Sequence, residues 1–161
     1  MSHWLDRLVN LGACKEAVDY ARGFATAQAA WNDCQRGDWM LWWLGNVAGP
    51  PWSAARRPLV GCVAMCATLE PTTEAKHEMA RAWAIGASLR WADGADNHDE
   101  MDAAAYAAYF AAAYVAYAAY AAYAAYAAAS YVAYAVKRRR VLAECAEIVR
   151  EWFPHPPRSA L

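Results

Sequence analysis

The sequence predicts an all-α fold, a compact domain of about six helices around one long helix rich in alanine and tyrosine. Two observations support this prediction. No stretch of the chain shows the alternation of period two, rich in β-branched residues, that strands need. Residues 103–136 contain 20 alanines, nine tyrosines and no charged side chain, and alanine is the best helix former. The 161 residues contain no Gly/Ser linker or charge block, so we expect one helical domain over residues 1–161.

The first elements of the chain are predicted from apolar periodicity and from glycine. Residues 3–11 and 13–31 are helical in pattern and are separated near Gly12. Asp38 is a suitable N-cap for the next helix, which we expect over residues 39–44. That helix is apolar on every side, so it should lie in the middle of the core.

The middle of the chain predicts two further helices. One begins near residue 53 or 58 and ends at residue 70, because Pro71 disfavours a helical residue before it. Thr72 or Thr73 caps the next helix, which continues to about residue 91 and stops at the Asp-Gly pair that follows.

The tyrosines of the alanine-rich tract have a mean spacing of 3.5 residues, since 28 residues separate the first from the last over eight intervals. Most rings should therefore lie on one broad side of a helix. They either fill gaps between neighbouring helices or line a cleft or an oligomer interface. The tract is also long enough to cross a membrane. Tyrosine prefers the membrane interface, however, so we expect no membrane span.

The end of the chain is predicted to be extended. Pro154, Pro156 and Pro157 stop the last helix, because proline lacks the backbone N–H that a helix needs. Residues 153–161 are therefore expected to form a proline-rich C-terminal tail.

Charge and motif content argue against several classes of function. The 15 basic and 16 acidic residues give a net charge of -1, which provides no long-range attraction to nucleic acid or anionic membranes. The chain has no glycine-rich phosphate loop, GxSxG elbow or HExxH motif, so we predict no enzyme and no catalytic residue.

The five cysteines of the chain are odd in number and include no CxxC pair. With no signal peptide, they favour a cytoplasmic protein with free thiols.

The densest polar cluster lies over residues 93–100. Its carboxylates and His98 can be interpreted as a metal or acid–base site, or as a loop leading into a helix N-terminus. The spacing does not match an EF-hand loop, so the second interpretation is preferred, and no metal or cofactor is predicted.

Trp39, Trp42 and Trp43 share a helix face and are expected in the core. An aromatic cage for a base or a cation is the alternative.

Two segments of the chain resemble a known family. The first comprises residues 11–17, 29–31 and 37–42 and includes the element Gly-Asp-Trp-Met-Leu-Trp. The second comprises residues 147–157, where Ile-Val-Arg is followed by Pro-His-Pro-Pro. Together they resemble the immunity-protein-5-like family of small helical bacterial and phage proteins. The resemblance implies neutralisation of a toxin by binding, without catalytic residues. In this chain, tyrosines replace the Arg, Glu and Trp that such proteins intersperse among the alanines.

We therefore expect a non-enzymatic binding protein that neutralises a toxin or defence effector, as in phage counter-defence, by occupying its surface. Tyrosine is favoured at the centre of protein interfaces. The contact is accordingly expected on exposed rings of the central helix, with Tyr117, Tyr120 and Tyr123 as the candidate residues.

Two other functions stay open at this point. A nucleotide-type small molecule can be held by aromatic stacking together with arginines on its phosphates. The candidate arginines are Arg56, Arg57, Arg138, Arg139 and Arg140. For the basic run over residues 137–140, a solvated helix face is the preferred interpretation. The second alternative is a structural protein that self-associates into a homo-oligomer.

Overall fold

The fold is helical throughout the part of the chain that the structure describes. The structure is a computed structural model, and it describes residues 3–50, 53–69, 75–97, 99–100, 103 and 130–157. These residues contain seven α-helices, one 3-10 turn at Ala54–Arg56, and no strand, so the all-α prediction is confirmed. The helices are α1 His3–Asn10, α2 Lys15–Ala21, α3 Ala27–Asp33, α4 Gly37–Val47, α5 Arg57–Ala67, α6 Ala75–Ala92 and α7 Ser130–Trp152.

The chain divides into two compact units. The first unit contains residues 1–59 and 142–161, and the second unit contains residues 60–141. Residues 104–129, which include most of the alanine–tyrosine tract, lie outside the described residues. The long central helix and the single domain therefore stay predictions.

The first three helices are separated by a glycine turn and by a capped turn. Gly12 has a φ of +84°, a left-handed conformation that glycine adopts without strain and that ends α1 where the sequence predicted. The prediction of one helix over residues 13–31 was wrong, because α2 ends at Ala21 and α3 begins at Ala27. The side chain of Thr26 accepts a hydrogen bond from the backbone N–H of Ala29 at 3.1 Å, which starts a new helix there.

Helix α4 begins two residues earlier than the sequence predicted. Its first residue is Gly37, and Asp38 lies in the first turn and is not the N-cap. A Cβ atom on Gly37 would lie 2.4 Å from the Cβ of Cys145 and 2.8 Å from the backbone nitrogen of Ala146. Glycine is therefore the residue that allows α4 to approach α7 this closely.

The described part of the C-terminal tail lies against α3 in the first unit. Trp31 donates a hydrogen bond from Nε1 to the carbonyl oxygen of Phe153 at 2.9 Å. Gln28 donates from Nε2 to the carbonyl oxygen of Pro154 at 3.1 Å, and its Oε1 lies 2.8 Å from Nδ1 of His155. Pro156 is buried. These hydrogen bonds hold the described part of the tail against α3.

Arg150 connects α7 to the C-terminal end of α3. Its Nη1 donates to the carbonyl oxygens of Trp31 at 3.3 Å and Cys34 at 2.7 Å. Carbonyl groups at a helix end have no partner within the helix, and a cation there also favours the helix dipole. Arg150 therefore stabilises the end of α3 from a position more than a hundred residues away in the chain.

The second unit is described mainly around α6 and the loop that follows it. Trp91 and Ala87 of α6 are buried. Asn97 donates from Nδ2 to the carbonyl oxygen of Ala87 at 3.1 Å and to Oε2 of Glu100 at 3.1 Å, and Glu100 also pairs with Arg90. These contacts are those of a structural loop. In the described residues, no three His, Cys, Asp or Glu side chains come together as metal ligands.

Among the helices that the structure describes, none combines the length and the apolar character that a membrane crossing needs.

Candidate functional site

An aromatic cavity lies in the first unit between helices α1, α2, α3 and α4. Its volume is about 50 Å³, and none of the described residues that line it is charged. Aliphatic and small side chains, among them Leu8 and Met40, form part of the wall. The rest is aromatic and consists of Trp4, Tyr20, Trp31, Trp39, Trp42 and Trp43.

Helix α4 supplies three of these aromatic residues because of their spacing. Positions i, i+3 and i+4 of an α-helix lie on one face, and Trp39, Trp42 and Trp43 all line the cavity. Trp43 is buried, whereas Trp42 is 36% exposed. The expectation that α4 lies in the middle of the core was therefore only partly right, since the Trp42 side of the helix reaches the surface.

Two buried indole groups among the lining residues have no hydrogen-bond partner in the part of the chain that the structure describes. Trp4 is 6% exposed and Trp43 is 7% exposed, and neither Nε1 donates a hydrogen bond to any described residue. A buried donor without an acceptor loses its hydration and gains nothing in return, which costs about 1–3 kcal/mol. Such groups are rare enough in folded proteins that each needs an explanation.

The hydroxyl and thiol groups of the cavity, by contrast, have partners. The hydroxyl of Tyr20 lies 3.1 Å from the carbonyl oxygen of Ala30 and 3.0 Å from Oδ2 of Asp33, so its single proton has two acceptors within reach. Burial, followed by the hydrogen bond to Asp33, raises the pKa of Tyr20. The Sγ of Cys34 donates to the carbonyl oxygen of Arg36 at 3.6 Å, and burial raises the pKa of this thiol. Both groups are thus neutral at physiological pH.

Arg36 stacks on the ring of Trp39, one of the lining residues. Its guanidinium carbon lies 4.1 Å from the ring centroid of Trp39, within the range of a cation–π contact. Its Nε and Nη2 donate to the two carboxylate oxygens of Asp38 at 2.8 and 2.6 Å. The ring of Trp39 therefore already stacks against a cation of this chain, which argues against a cage for an external one.

The pKa of Asp38 reflects two opposing effects. Partial burial on its own would raise the pKa of this carboxyl. The hydrogen bonds and the positive charge of Arg36 outweigh burial and hold the pKa below its ordinary value of 3.8. The pair is thus fully charged at neutral pH, and it fixes Arg36 over the Trp39 ring.

The arginines predicted from the sequence have different positions. Arg56 donates from Nε to the carbonyl oxygen of Gly49 at 2.7 Å and from Nη2 to that of Gly45 at 2.9 Å, so it caps the end of α4. Arg57 is half-buried at the start of α5. Both belong to the first unit, and neither lines the aromatic cavity.

The other predicted residues lie elsewhere. Arg138, Arg139 and Arg140 are exposed on α7 and belong to the second unit. The candidate tyrosines Tyr117, Tyr120 and Tyr123 fall outside the described residues, so a role for them stays a prediction.

Sequence reasoning missed several residues of the site. Trp4 is one, although the run of Trp4, Leu5 and Leu8 marks the buried side of α1. Arg36 is another, and its position three residues before Trp39 was an available signal, because residues at that spacing are neighbours at a helix start. Nothing in the sequence distinguishes a tryptophan whose N–H has a partner from one whose N–H has none.

Comparison of the chain with protein-family models, curated proteins and solved structures yields no match.

Proposed function

We propose that this chain is a non-enzymatic binding protein that neutralises a toxin or a defence effector by direct contact, and that a side chain of the partner inserts into the aromatic cavity. The observation that carries this proposal is an uncharged, aromatic-lined cavity with the exposed Trp42 in its wall. The described lining has no nucleophile paired with a base and no carboxylate pair, so it is suited to binding.

The size of the cavity favours a protein partner over a nucleotide. An engineered apolar cavity of about 150 Å³ binds benzene, and this cavity has about a third of that volume. A purine or pyrimidine ring is larger than benzene, and the described lining offers no cation for a phosphate. A small apolar group of the partner, such as the methyl group of an alanine side chain, matches both the volume and the lack of charge.

The exposure of Trp42 supports the same conclusion. Tryptophan and arginine are enriched among the residues that contribute most to protein–protein affinity, and these residues sit near desolvated pockets. Trp42 is 36% exposed and lines the cavity, and Arg36 is half-buried beside Trp39. A partner that covers Trp42 would bury its ring and close the cavity at the same time.

The family resemblance is a further support. The two segments that resemble immunity proteins contact each other in the first unit, because Trp31 of the first segment donates to Phe153 of the second. Trp31 also lines the cavity. Residues of the first segment therefore form part of the wall of the candidate site.

The test is a neutralisation assay in bacteria that each express one member of a panel of toxins and defence effectors. We expect the wild-type chain to restore growth in at least one strain, and Trp42→Ala to abolish that rescue. Loss of a central interface tryptophan costs about 2–4 kcal/mol, or roughly 30- to 1,000-fold in affinity.

Trp152→Ala is the matched control. Trp152 is 40% exposed, belongs to the same unit and does not line the cavity. Rescue should survive this substitution, and circular dichroism should show equal helix content in both variants. A wild-type chain that rescues no strain, or equal losses in the two variants, would contradict the proposal.

A further inference from the structure

We infer that the basic turn of α7, residues 137–140, is a cleavage site for a protease that requires lysine or arginine before the bond it cuts, and that the C-terminal segment, residues 142–157, stays bound to the rest of the first unit after the cut. The reaction is hydrolysis of one peptide bond. Water supplies the hydroxyl of the new carboxyl group and a hydrogen of the new amino group, so no oxidant or cofactor is needed.

The basic turn is exposed on every side of the helix. Residues 136–140 are all exposed, and Val136 is 61% exposed. An α-helix completes a turn in 3.6 residues, so five consecutive side chains point in every direction around the axis. The first buried residue of α7 after this turn is Cys145. Local opening of the turn therefore exposes no buried side chain of its own.

The charges of the turn favour both opening and recognition. Lys137 and Arg140 are three positions apart and are neighbours on the helix surface, where like charges destabilise a helix. A protease cuts a helix after it has opened locally, at a rate that follows the population of the open form. A protease with an acidic specificity pocket then binds the cation before the cut bond, and all four residues of the turn supply one.

Arg90 shows that exposure of a basic residue is not sufficient. It is also exposed, and it lies on α6 of the second unit. Its helix neighbours Ala87 and Trp91 are 0% and 1% exposed, and its guanidinium pairs with Glu100. Opening α6 at Arg90 would bring the ring of Trp91 into water, which the basic turn avoids.

The C-terminal segment is held by contacts that do not involve the cut bond. Ala146 and Val149 are fully buried. Arg150 donates to the carbonyl oxygens of Trp31 and Cys34, and Trp31 donates to that of Phe153. The hydrogen-bond partners of the segment therefore lie in the part of the first unit that precedes residue 60, and a cut at residues 137–140 leaves these contacts in place.

The cut also leaves the aromatic cavity whole. Its lining residues lie between positions 4 and 43. The C-terminal segment, which accepts the hydrogen bond of Trp31, stays on the same unit. Cleavage therefore changes how the second unit is attached to the chain and leaves the candidate site in the first unit unchanged.

The experiment is a limited digestion of the full chain with trypsin, sampled over time. Mass spectrometry of the denatured samples identifies the cut bonds, and size-exclusion chromatography under native conditions shows whether the fragments stay together. We expect cleavage after residues 137–140 to be at least about 10-fold faster than after Arg90, because a buried tryptophan opposes opening there. The two fragments should elute together in native buffer and separate in denaturing urea. A cut at Arg158 removes three residues and leaves the C-terminal segment whole.

Substitutions test the two parts of the inference separately. Glutamine at all four positions (Lys137→Gln, Arg138→Gln, Arg139→Gln and Arg140→Gln) should abolish this cut and keep the helix content, because glutamine is a good helix former. In the cut chain, Arg150→Met should weaken retention of the C-terminal fragment about 10- to 100-fold, since hydrogen bonds to a charged group are lost.

Glu151→Gln, at the exposed neighbouring position, is the control and should leave retention of the C-terminal fragment unchanged. The digestion of the wild-type chain needs no substitution, so it gives a result even if the Arg150 variant does not fold.

Two results would overturn the inference. The first is a cut at Arg90, or at any other lysine or arginine before residue 137, that is as fast as the cut in the basic turn. The second is a C-terminal fragment of the wild-type chain that elutes alone in native buffer. Neither result depends on the neutralisation assay, so the proposed function and this inference can fail independently.

Discussion

Trp31 and Trp43 are neighbours in the first unit, yet their hydrogen bonding differs. Their rings meet edge to face with centroids 5.7 Å apart, and both are buried, at 2% and 7% exposed. Nε1 of Trp31 donates to the carbonyl oxygen of Phe153, while Nε1 of Trp43 has no acceptor in the described residues. Trp31 and Trp43 are therefore alike in their burial and differ in whether the indole N–H has an acceptor.

The difference extends to the surroundings of each ring. We call the contacts of Trp31, Arg150 and Phe153 the closed side of the first unit, because their hydrogen bonds run between α3, α7 and the tail. The cavity side contains Trp4 and Trp43, whose donors have no acceptor among the described residues. Natural proteins satisfy most of their buried polar groups, and the exceptions include functional sites and groups that bind an ordered water. The contrast teaches that the closed side stabilises the unit, and that the cavity side is the place to look for a ligand.

The largest loss in the free energy of unfolding is expected at Gly37, where α4 and α7 pack most closely. In Gly37→Ala, the added Cβ would meet Cys145 Cβ at 2.4 Å and the backbone nitrogen of Ala146 at 2.8 Å. Backbone atoms cannot move aside cheaply, so urea unfolding should show a loss of about 3 kcal/mol or more in the free energy of unfolding.

The same substitution at Gly45 is the control. Gly45 lies in the same helix, and a Cβ there meets nothing within 4 Å. Gly45→Ala should stabilise the chain by about 0.5 kcal/mol, because alanine is the better helix former. If the two variants unfold at the same urea concentration, α4 and α7 are not packed as described.

The next effect concerns the arginine of the closed side. Arg150→Met keeps an apolar stem but removes the hydrogen bonds to the carbonyl oxygens of Trp31 and Cys34. Hydrogen bonds to a charged group contribute about 1.5–3 kcal/mol, so the free energy of unfolding should fall by about 2 kcal/mol. Arg138→Met, on the exposed part of the same helix, should change it by less than about 0.5 kcal/mol. Equal losses would mean that Arg150 acts as a surface residue.

A smaller change in the free energy of unfolding is expected from a direct comparison of Trp31 with Trp43. Trp31→Phe and Trp43→Phe remove the same atoms from two rings in contact, but only the first breaks a hydrogen bond that the structure contains. Trp31→Phe should therefore reduce the free energy of unfolding by about 1 kcal/mol more than Trp43→Phe does. A larger loss for Trp43→Phe would show that its N–H has a partner in the folded chain, and the cavity side would then resemble the closed side.

The smallest change in the free energy of unfolding is expected for the ion pair of Arg36 and Asp38, and it should depend on pH. The folded-state pKa of Asp38 is below its ordinary value of 3.8, so the stabilisation from this carboxylate is complete above that value and is lost as pH falls through the folded pKa. Asp38→Asn should cost less than about 1 kcal/mol at pH 7, because the pair is more than a third exposed. The difference from wild type should vanish at low pH.

A double-mutant cycle with Arg36→Met isolates the contribution of the Asp38 pair. The coupling energy between the two substitutions should be measurable at pH 7 and should disappear in acid. A coupling energy that stays constant as the solution is acidified would rule out the charge on Asp38 as its source.

Much of the fold could be predicted from local sequence patterns. The spacing of Trp39, Trp42 and Trp43 placed three rings on one helix face, which is the face that lines the cavity. Pro154 marked the end of the last helix, and α7 does end at Trp152. The errors also have local reasons, since the break before α3 depends on the cap at Thr26, which apolar periodicity over residues 13–31 does not reveal.

The candidate site could not be predicted in the same way. The sequence offered Arg56 as a ligand for phosphate, and in the structure two of its nitrogens donate to carbonyl oxygens at the end of α4. Trp4 comes from α1 and Trp43 from α4, so the wall of the cavity depends on how these helices pack. A pattern within one helix carries no information about the other.

By itself the sequence determined the helical class, the tryptophan face of α4 and the end of α7, because propensity, periodicity and proline geometry act over a few neighbouring residues. Only the tertiary structure decided which buried tryptophan has a hydrogen-bond acceptor and which has none among the described residues. The acceptor for Trp31 lies 122 positions away along the chain, and the contact that requires glycine at position 37 is with Cys145 and Ala146. Such partners are brought together by packing between distant segments, so they exist only once the first unit has folded.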